Sequence, residues 1–125
     1  MLQHVSIEVH PEDVPRTVEL WRAIGFAPVE APGPINPYVT WLERRGTQIH
    51  LIHNEDATIP VLGHPAVVAE PYDEVLERVR EAGFELEEHQ ELWGARRWFV
   101  IGPGGHRTEL MESPPPPSSA VGDGG

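Results

Sequence analysis

The chain of 125 residues contains no cysteine, and its nine basic residues are all arginine. The lack of cysteine excludes disulfide bonds, thiolate metal ligands and a cysteine nucleophile. The lack of lysine excludes Schiff-base chemistry, which requires a lysine amine. Disulfide-stabilised scaffolds and covalent catalysis through an amine are therefore excluded.

Long apolar runs and an excess of positive charge are also absent. No stretch approaches the roughly 18 apolar residues that a transmembrane helix needs, so no membrane partner is expected. The formal net charge of −11 argues against nucleic acid as a partner, because phosphates require basic patches. The first residues enter a strand pattern without a basic or cleavable segment, which predicts a cytoplasmic location.

Two pairs of possible metal ligands recur along the chain at nearly the same separation. His64 follows His4 by 60 residues, and Glu109 follows His50 by 59 residues. Each pair also lies in similar local sequence. Packing alone does not easily explain a duplicated unit that carries one such residue near its start and one near its end. The repeat suggests two half-sites that meet around a metal ion.

Each repeat unit shows the same order of predicted elements: a strand, a helix and three further strands. Alternating apolar residues predict the strands, and apolar residues at helical spacing followed by glycine predict the helices. The first unit has predicted strands at 4–9, 26–30, 38–43 and 47–53, with a helix that ends at Gly25. The second has predicted strands at 64–69, 84–89, 97–101 and 107–112, with a helix at about 72–82.

This pattern predicts the α+β fold class, with two βαβββ modules at residues 2–54 and 63–112. We expect their sheets to pair side by side into a curved, partly open mixed sheet. Together the modules form one domain, residues 1–113, of a size that buries a single core. The tail at 114–125, rich in proline, serine and glycine, is predicted to be disordered.

The most specific pattern of the chain is the segment at residues 93–110, WGARRWFVIGPGGHRTEL. It is similar to the closing segment of the vicinal oxygen chelate superfamily, which the chain resembles over about residues 2–112. That group includes glyoxalase I, methylmalonyl-CoA epimerase, fosfomycin-resistance enzymes, extradiol dioxygenases and bleomycin-binding proteins. The chain has Gly102 where aspartate is usual, which leaves the ligand position intact.

The resemblance implies a divalent-metal site. In the family the ligands lie on the first and last strand of each module, and these positions are occupied here by His4, His50, His64 and Glu109. Fosfomycin-resistance and extradiol enzymes use a triad that matches His4, His64 and Glu109. Position 50 departs from the family, since bacterial glyoxalase I usually has glutamate there and epimerases glutamine. Three imidazoles and one carboxylate suit Ni, Co, Zn, Mn or Fe better than Mg or Ca.

The resemblance also implies a reaction on a small substrate with two adjacent oxygens, which would occupy two open positions on the metal. The leading expectation is a lyase or isomerase similar to glyoxalase I, with Glu109 or a displaced His50 as the catalytic base. The candidate substrate-binding side chains are Tyr38, Trp41, Trp93, Arg96 and Trp98.

The sequence leaves other functions open. They are an Fe(II) extradiol-type dioxygenase, a resistance transferase that adds a thiol or water to an epoxide, and a metal-free drug-binding protein of the bleomycin type. The presence of all four ligand positions favours an enzyme. A homodimer is expected, and the sequence leaves open whether a metal site is completed within one chain or across two. The remaining histidines are expected to have no metal role: His10, His53, His89 and His106.

Overall fold

The computed structural model describes residues 1–118, and the predicted disordered tail lies outside these residues from position 119 onward. Residues 114–118 form neither helix nor strand. No helix among residues 1–118 is long and apolar enough to cross a membrane.

The first module contains four strands and one helix. Its elements are β1 (His4–Val9), α1 (Val14–Ile24), β2 (Ala27–Val29), β3 (Val39–Arg44) and β4 (Thr47–His53). Short 3₁₀ turns at Pro11–Asp13 and Asn36–Tyr38 precede α1 and β3. The prolines at the start of each turn explain why the chain enters these elements through a tight turn.

The second module repeats this order. Its elements are β5 (Ala66–Val68), α2 (Tyr72–Glu81), β6 (Glu85–Leu92), β7 (Ala95–Ile101) and β8 (Arg107–Met111). A 3₁₀ turn at Pro103–Gly105 joins the last two strands. The predicted βαβββ order is therefore confirmed in both modules.

The strand order is the same in the two sheets, β1-β4-β3-β2 and β5-β8-β7-β6. In each sheet the first and last strands are parallel neighbours, which brings the two candidate ligands of a module together. Ser6 is aligned with His50, and Ala66 is aligned with Glu109. Ala66 follows Ser6 by 60 residues and Glu109 follows His50 by 59, so the two sheets pair equivalent residues of the repeat.

The two helices end in the same way. Gly25 and Gly83 have positive φ angles of 126° and 90°, a conformation that glycine adopts without steric cost. The following amide of Phe26 donates to the carbonyl of Trp21, and the amide of Phe84 donates to that of Val79. This hydrogen-bond pattern satisfies carbonyl groups that the last helical turn leaves open.

The modules pack against each other through their helices. The guanidinium of Arg16 donates to the carbonyl of Ala82 at 2.6 Å, and Arg78 donates to that of Ala23 at 3.0 Å. Each arginine thereby places a positive charge at the negative end of the other module's helix.

One continuous core joins the helices to one face of each sheet. The residues at its centre are Val9, Leu20, Trp21, Ile24, Leu42, Ile49, Leu51, Tyr72, Val75, Val79, Val100 and Leu110. Because side chains alternate along a strand, the other face of each sheet is turned away from the helices. We call this second surface the open face of the sheet.

Several predicted boundaries were wrong. The strand predicted at 64–69 is confined to Ala66–Val68, so His64 lies just before it. The strand predicted at 26–30 is confined to Ala27–Val29, whereas β6 extends to Leu92. The fold class is confirmed, but the two sheets remain separate, because β1 and β5 are edge strands without hydrogen-bonded pairing between them.

Candidate functional site

The four predicted metal ligands lie on the open faces, in two separate pairs. His4 and His50 lie on the first sheet, and His64 and Glu109 lie at the second. Within residues 1–118, no group of three or more metal-binding side chains comes together. A single chain therefore presents two candidate half-sites, each with two of the four predicted ligands.

The first half-site is a stack of three aromatic rings. The indole of Trp41 lies flat on the imidazole of His50, with ring centroids 4.0 Å apart and planes 3° apart. The ring of His4 stacks on the other side of His50, at 4.1 Å and 18°. The stack follows from the register, because Trp41 is directly opposite His50 on the neighbouring strand.

This stacking limits how the two histidines can bind metal. An imidazole binds a metal in the plane of its ring, at about 2 Å from the nitrogen. Rings that are stacked almost parallel do not direct their lone pairs to one point at that distance. His4 and His50, as placed here, therefore do not fit as two ligands of the same ion.

A hydrogen-bond relay fixes the orientation of the His50 ring. The side-chain amide of Gln48 donates to a Glu43 carboxylate oxygen at 2.7 Å, which leaves its carbonyl oxygen facing His50 Nε2 at 2.7 Å. Because a carbonyl oxygen only accepts, Nε2 carries the proton and Nδ1 keeps its lone pair. Burial, with a smaller contribution from His4, lowers the pKa of His50, so the ring is neutral at pH 7.

The second half-site pairs His64 with Glu109. His64 Nδ1 lies 2.8 Å from the carbonyl oxygen of Leu62, and its Nε2 lies 3.1 Å from Glu109 Oε1. The carbonyl can only accept, so Nδ1 carries a proton and Nε2 faces a carboxylate oxygen. The lone pair on His64 Nε2 then faces a lone pair on Glu109 Oε1. Only a cation shared between the two atoms, either a proton or a metal ion, removes this repulsion.

The donor set of the second half-site therefore fits a divalent metal. A histidine that binds a metal usually donates its other ring proton to a carbonyl or carboxylate, as His64 does to Leu62. His64 is also held by its edge-to-face contact with Phe99, at 4.8 Å between ring centroids.

Arg97 holds the other oxygen of Glu109. Its Nε donates to Glu109 Oε2 at 2.7 Å, and its Nη1 donates to the carbonyl of Gln90 at 3.1 Å. Burial acts to raise the pKa of Glu109, but the hydrogen bonds and charges of Arg97 and His64 outweigh it and lower the pKa below its usual range. Glu109 is therefore a fixed, ionised carboxylate.

The predicted substrate-binding residues are dispersed. Trp41 lies in the first half-site and also lines a cavity of about 640 Å³ with the loop at 30–37. Tyr38 is exposed at the end of the turn before β3. Trp93 lies at the turn between β6 and β7, where its indole N–H donates to the carbonyl of Ser113.

Arg96 and Trp98 lie on the helix side of the second sheet, away from Glu109. Arg96 forms ion pairs with Asp73 and Glu112 and lies over the ring of Tyr72. Trp98 packs against the core. Because the strand alternates, the open face carries Arg97 and Phe99 instead, and the structure gives no support to a substrate role for Arg96 or Trp98.

Four residues that support the ligands were missed by the sequence reasoning: Glu43, Gln48, Leu62 and Arg97. Strand alternation offers a signal for two of them. Gln48 lies two residues before His50 on the same face of β4, and Arg97 lies two residues before Phe99, which is aligned with Glu109. Leu62 contributes only its backbone carbonyl, which has no sequence signature, and Glu43 contributes through the register of the β3–β4 hairpin, which the sequence pattern does not specify.

The remaining histidines occupy other positions. His53 contacts Thr40 on the helix side of the first sheet, and His10 accepts from the amide of Glu12. His89 lies within β6, against the ring of Phe99 on the open face.

The two βαβββ modules have the fold of solved members of the glyoxalase/bleomycin resistance/dioxygenase superfamily, so the resemblance is confirmed at the level of fold. A Bacillus anthracis protein described as glyoxalase family is 20% identical over 91% of this chain and 95% of that chain, with a TM-score of 0.80. A superfamily member from Sphaerobacter thermophilus is 20% identical over 90% of this chain and 97% of that one, with a TM-score of 0.68.

The fold is also that of the fosfomycin resistance protein FosX from Mesorhizobium loti. That structure is 16% identical over 91% of this chain and 92% of that chain, with a TM-score of 0.71. No family model and no curated protein sequence matches the chain.

Proposed function

We propose that the protein is a divalent-metal-dependent enzyme, a glyoxalase-like lyase or isomerase that acts on a small substrate with two adjacent oxygens. The observation that carries this proposal is the second half-site, where His64 Nε2 and Glu109 Oε1 face each other at 3.1 Å while Nδ1 is committed to Leu62. Ni, Co, Zn, Mn and Fe suit this mixed donor set.

The ligand set that fits best is His4, His64 and Glu109. His64 and Glu109 form one side of the site, and His4 completes it from a second copy of the chain, because the two pairs do not converge within residues 1–118. A homodimer with two such sites accounts for both half-sites of each chain. When bound, the metal would stabilise negative charge that develops on a substrate oxygen.

His50 is the catalytic base in this proposal. It is neutral at pH 7, and Gln48 directs its protonated Nε2 away, so Nδ1 can take a proton from a substrate carbon. Glu109 is less suited to this role, because Arg97 and His64 hold both its oxygens and lower its pKa. Trp41 restricts the His50 ring to one plane and shields it from water.

A second candidate function is favoured by the stacking of His50. The stacking keeps His50 out of the ligand set, so the ligands are two imidazoles and one carboxylate, which is also the set found in Fe(II) oxygenases with open coordination positions. An extradiol-type dioxygenase is therefore the alternative reaction. The cytoplasmic location stays a prediction of the sequence.

Elemental analysis of anaerobically purified protein tests the proposal, with the His64→Ala variant measured beside it. We expect about one metal ion per chain in the wild type and its loss in the variant. Turnover of a 2-oxoaldehyde hemithioacetal without oxygen uptake would support the isomerase, and oxygen uptake with catechol by Fe-loaded protein would support the dioxygenase. Failure to bind metal even after reconstitution would contradict both and favour drug sequestration.

A further inference from the structure

A cavity of about 410 Å³ adjoins the second half-site at His64. It lies between the edge of β1 and the start of the second module. Its polar lining residues are Ser6, Glu8, Thr58, His64, His106 and Arg107. The cavity is therefore polar where it meets a proposed metal ligand, and it offers both positive and negative groups.

Arg107 is the arginine of this cavity, and it lies on the open face with Glu109. In the repeat it occupies the position of Gln48, two residues before the ligand of its module. Gln48 orients His50, but Arg107 does not orient Glu109, because Arg97 already does so. The position of Arg107 is thus not explained by support of the ligand.

The guanidinium of Arg107 is held in place by internal contacts, but within the part of the chain that the structure describes these contacts engage only one of its three nitrogens. Its Nη2 donates to Glu87 at 2.8 Å and lies 3.3 Å from His89, and the group lies 5.0 Å from the centre of the Phe99 ring. Among residues 1–118, its Nε and Nη1 have no hydrogen-bond partner. The side chain is 38% exposed. A rigid guanidinium with free N–H groups is suited to a carboxylate or phosphoryl group.

The opposite wall of the cavity carries the carboxylate of Glu8. Asn54 donates to this carboxylate at 2.6 Å and so holds it in place. A fixed carboxylate accepts a hydrogen bond from a hydroxyl group but repels a second anion. The lining therefore selects a molecule with one anionic end and at least one hydroxyl group.

We infer that Arg107 binds an anionic group of the substrate, which makes the substrate a small hydroxylated acid with a carboxylate or phosphoryl group. This inference rests on the proposed function. Residues two apart on a strand are about 7 Å apart. The anionic group of the substrate therefore lies only a few bonds from the two substrate oxygens that face the metal site at Glu109. A large apolar substrate does not fit this arrangement.

Anion binding by the intact protein tests the inference, with calorimetric titration of inorganic phosphate and, separately, of acetate. The Arg107→Gln variant should bind the preferred anion at least about tenfold more weakly, because a charge-assisted hydrogen bond from the guanidinium is lost. Glu87→Gln should bind it more tightly, since it releases the guanidinium from its internal partner. Arg45→Gln, at the exposed tip between β3 and β4, is the matched control and should bind like the wild type.

Metal content is measured on the same samples, so that the two proposals fail separately. Anion binding that depends on Arg107 in protein without metal affinity would keep the subsite and overturn the proposed function. Equal affinity of wild type, Arg107→Gln and Glu87→Gln for both anions would overturn the subsite, whatever the metal content. If Arg107→Gln does not fold, an anion affinity of Glu87→Gln equal to that of the wild type still overturns the proposed subsite.

Discussion

At the scale of single residues, the candidate site is defined by which atom of each side chain is already engaged. His64 and His50 each commit one ring nitrogen to a neighbouring carbonyl oxygen, which decides where the other nitrogen is available. Glu109 has both oxygens engaged, one by Arg97. These contacts distinguish Glu109, a candidate ligand that is held in place, from His50, whose second ring nitrogen is free to exchange a proton.

Removing the guanidinium at position 97 should weaken metal binding without unfolding the protein. We expect Arg97→Ala to reduce metal affinity about 10- to 100-fold, because a partner that orients a ligand carboxylate is lost. Titration of the metal-free protein with Ni or Zn measures this affinity. The neighbouring Arg96→Ala is the matched control, and an equal loss there would show that the effect is not specific to Glu109.

His50 can be separated from the metal ligands by substitution. His50→Ala should abolish turnover but keep close to the wild-type metal content, whereas His64→Ala should lose the metal. Gln48→Ala should reduce turnover by about tenfold or more, because the His50 tautomer is no longer fixed. Loss of metal from His50→Ala would instead return His50 to the ligand set, as the family resemblance implied.

At the scale of elements, strand alternation divides each sheet into a core face and an open face. Leu51 is fully buried against the helices, while the adjacent Ile52 is 37% exposed. The Tyr72 hydroxyl at the start of α2 donates to the carbonyl of Leu110 in β8 at 2.6 Å. Helix α2 is thereby fixed to the strand that carries Glu109.

The two faces of β4 should differ in their contribution to stability. Leu51→Ala should lower the free energy of unfolding by about 2–5 kcal/mol, because a cavity is left in the core. Ile52→Ala should cost less than about 1 kcal/mol, as expected for a partly exposed side chain. Urea denaturation measures both, and equal losses would contradict the assignment of the faces.

The Tyr72 hydroxyl should make the stability of the protein sensitive to alkaline pH. Burial is the main cause that raises its pKa to about 12 from the usual value of 10.0. Because the folded state holds the proton more tightly, this contribution is complete below pH 10 and is lost as the pH rises toward 12.

Urea titrations between pH 8 and pH 12 should show this loss in the wild type and a smaller one in Tyr72→Phe. At neutral pH the variant should be about 1 kcal/mol less stable, since the Leu110 carbonyl loses its donor. The same pH dependence in both proteins would show that Tyr72 is not its source.

At the scale of the whole molecule, the helices join the two modules, but the half-sites stay apart. Each sheet presents one pair of ligands on its open face, and no three ligands converge within residues 1–118. We propose that a second copy of the chain supplies the missing ligands, because it carries the complementary half-site.

Mixing two inactive variants tests whether the site is shared between chains. Random exchange between His4→Ala and His64→Ala dimers should restore about one quarter of the wild-type sites, since half of the dimers are mixed and each has one intact site. Sedimentation or light scattering should show a dimer, and metal content gives the recovery. A site formed within one chain would show no recovery after mixing.

Much of the fold could be predicted from local sequence. The repeat, the βαβββ order of elements along each module and the glycine ends of the helices depend on neighbouring residues and on periodicity. The boundaries were less accurate at β2 and β5, where short edge strands depend on pairing with β3 and β8. The motif at 93–110 does not show on which face of β7 Arg96 and Arg97 lie, because the face depends on the register with β8.

The sequence by itself determined the two modules and which residues are the candidate ligands, because alternation and repeat spacing are properties of a local stretch of chain. Only the tertiary structure decided that His50 stacks between Trp41 and His4, that Arg97 holds Glu109, and that the half-sites lie on separate sheets. These features depend on which strands pair and in what register, and both are fixed only when the sheets form.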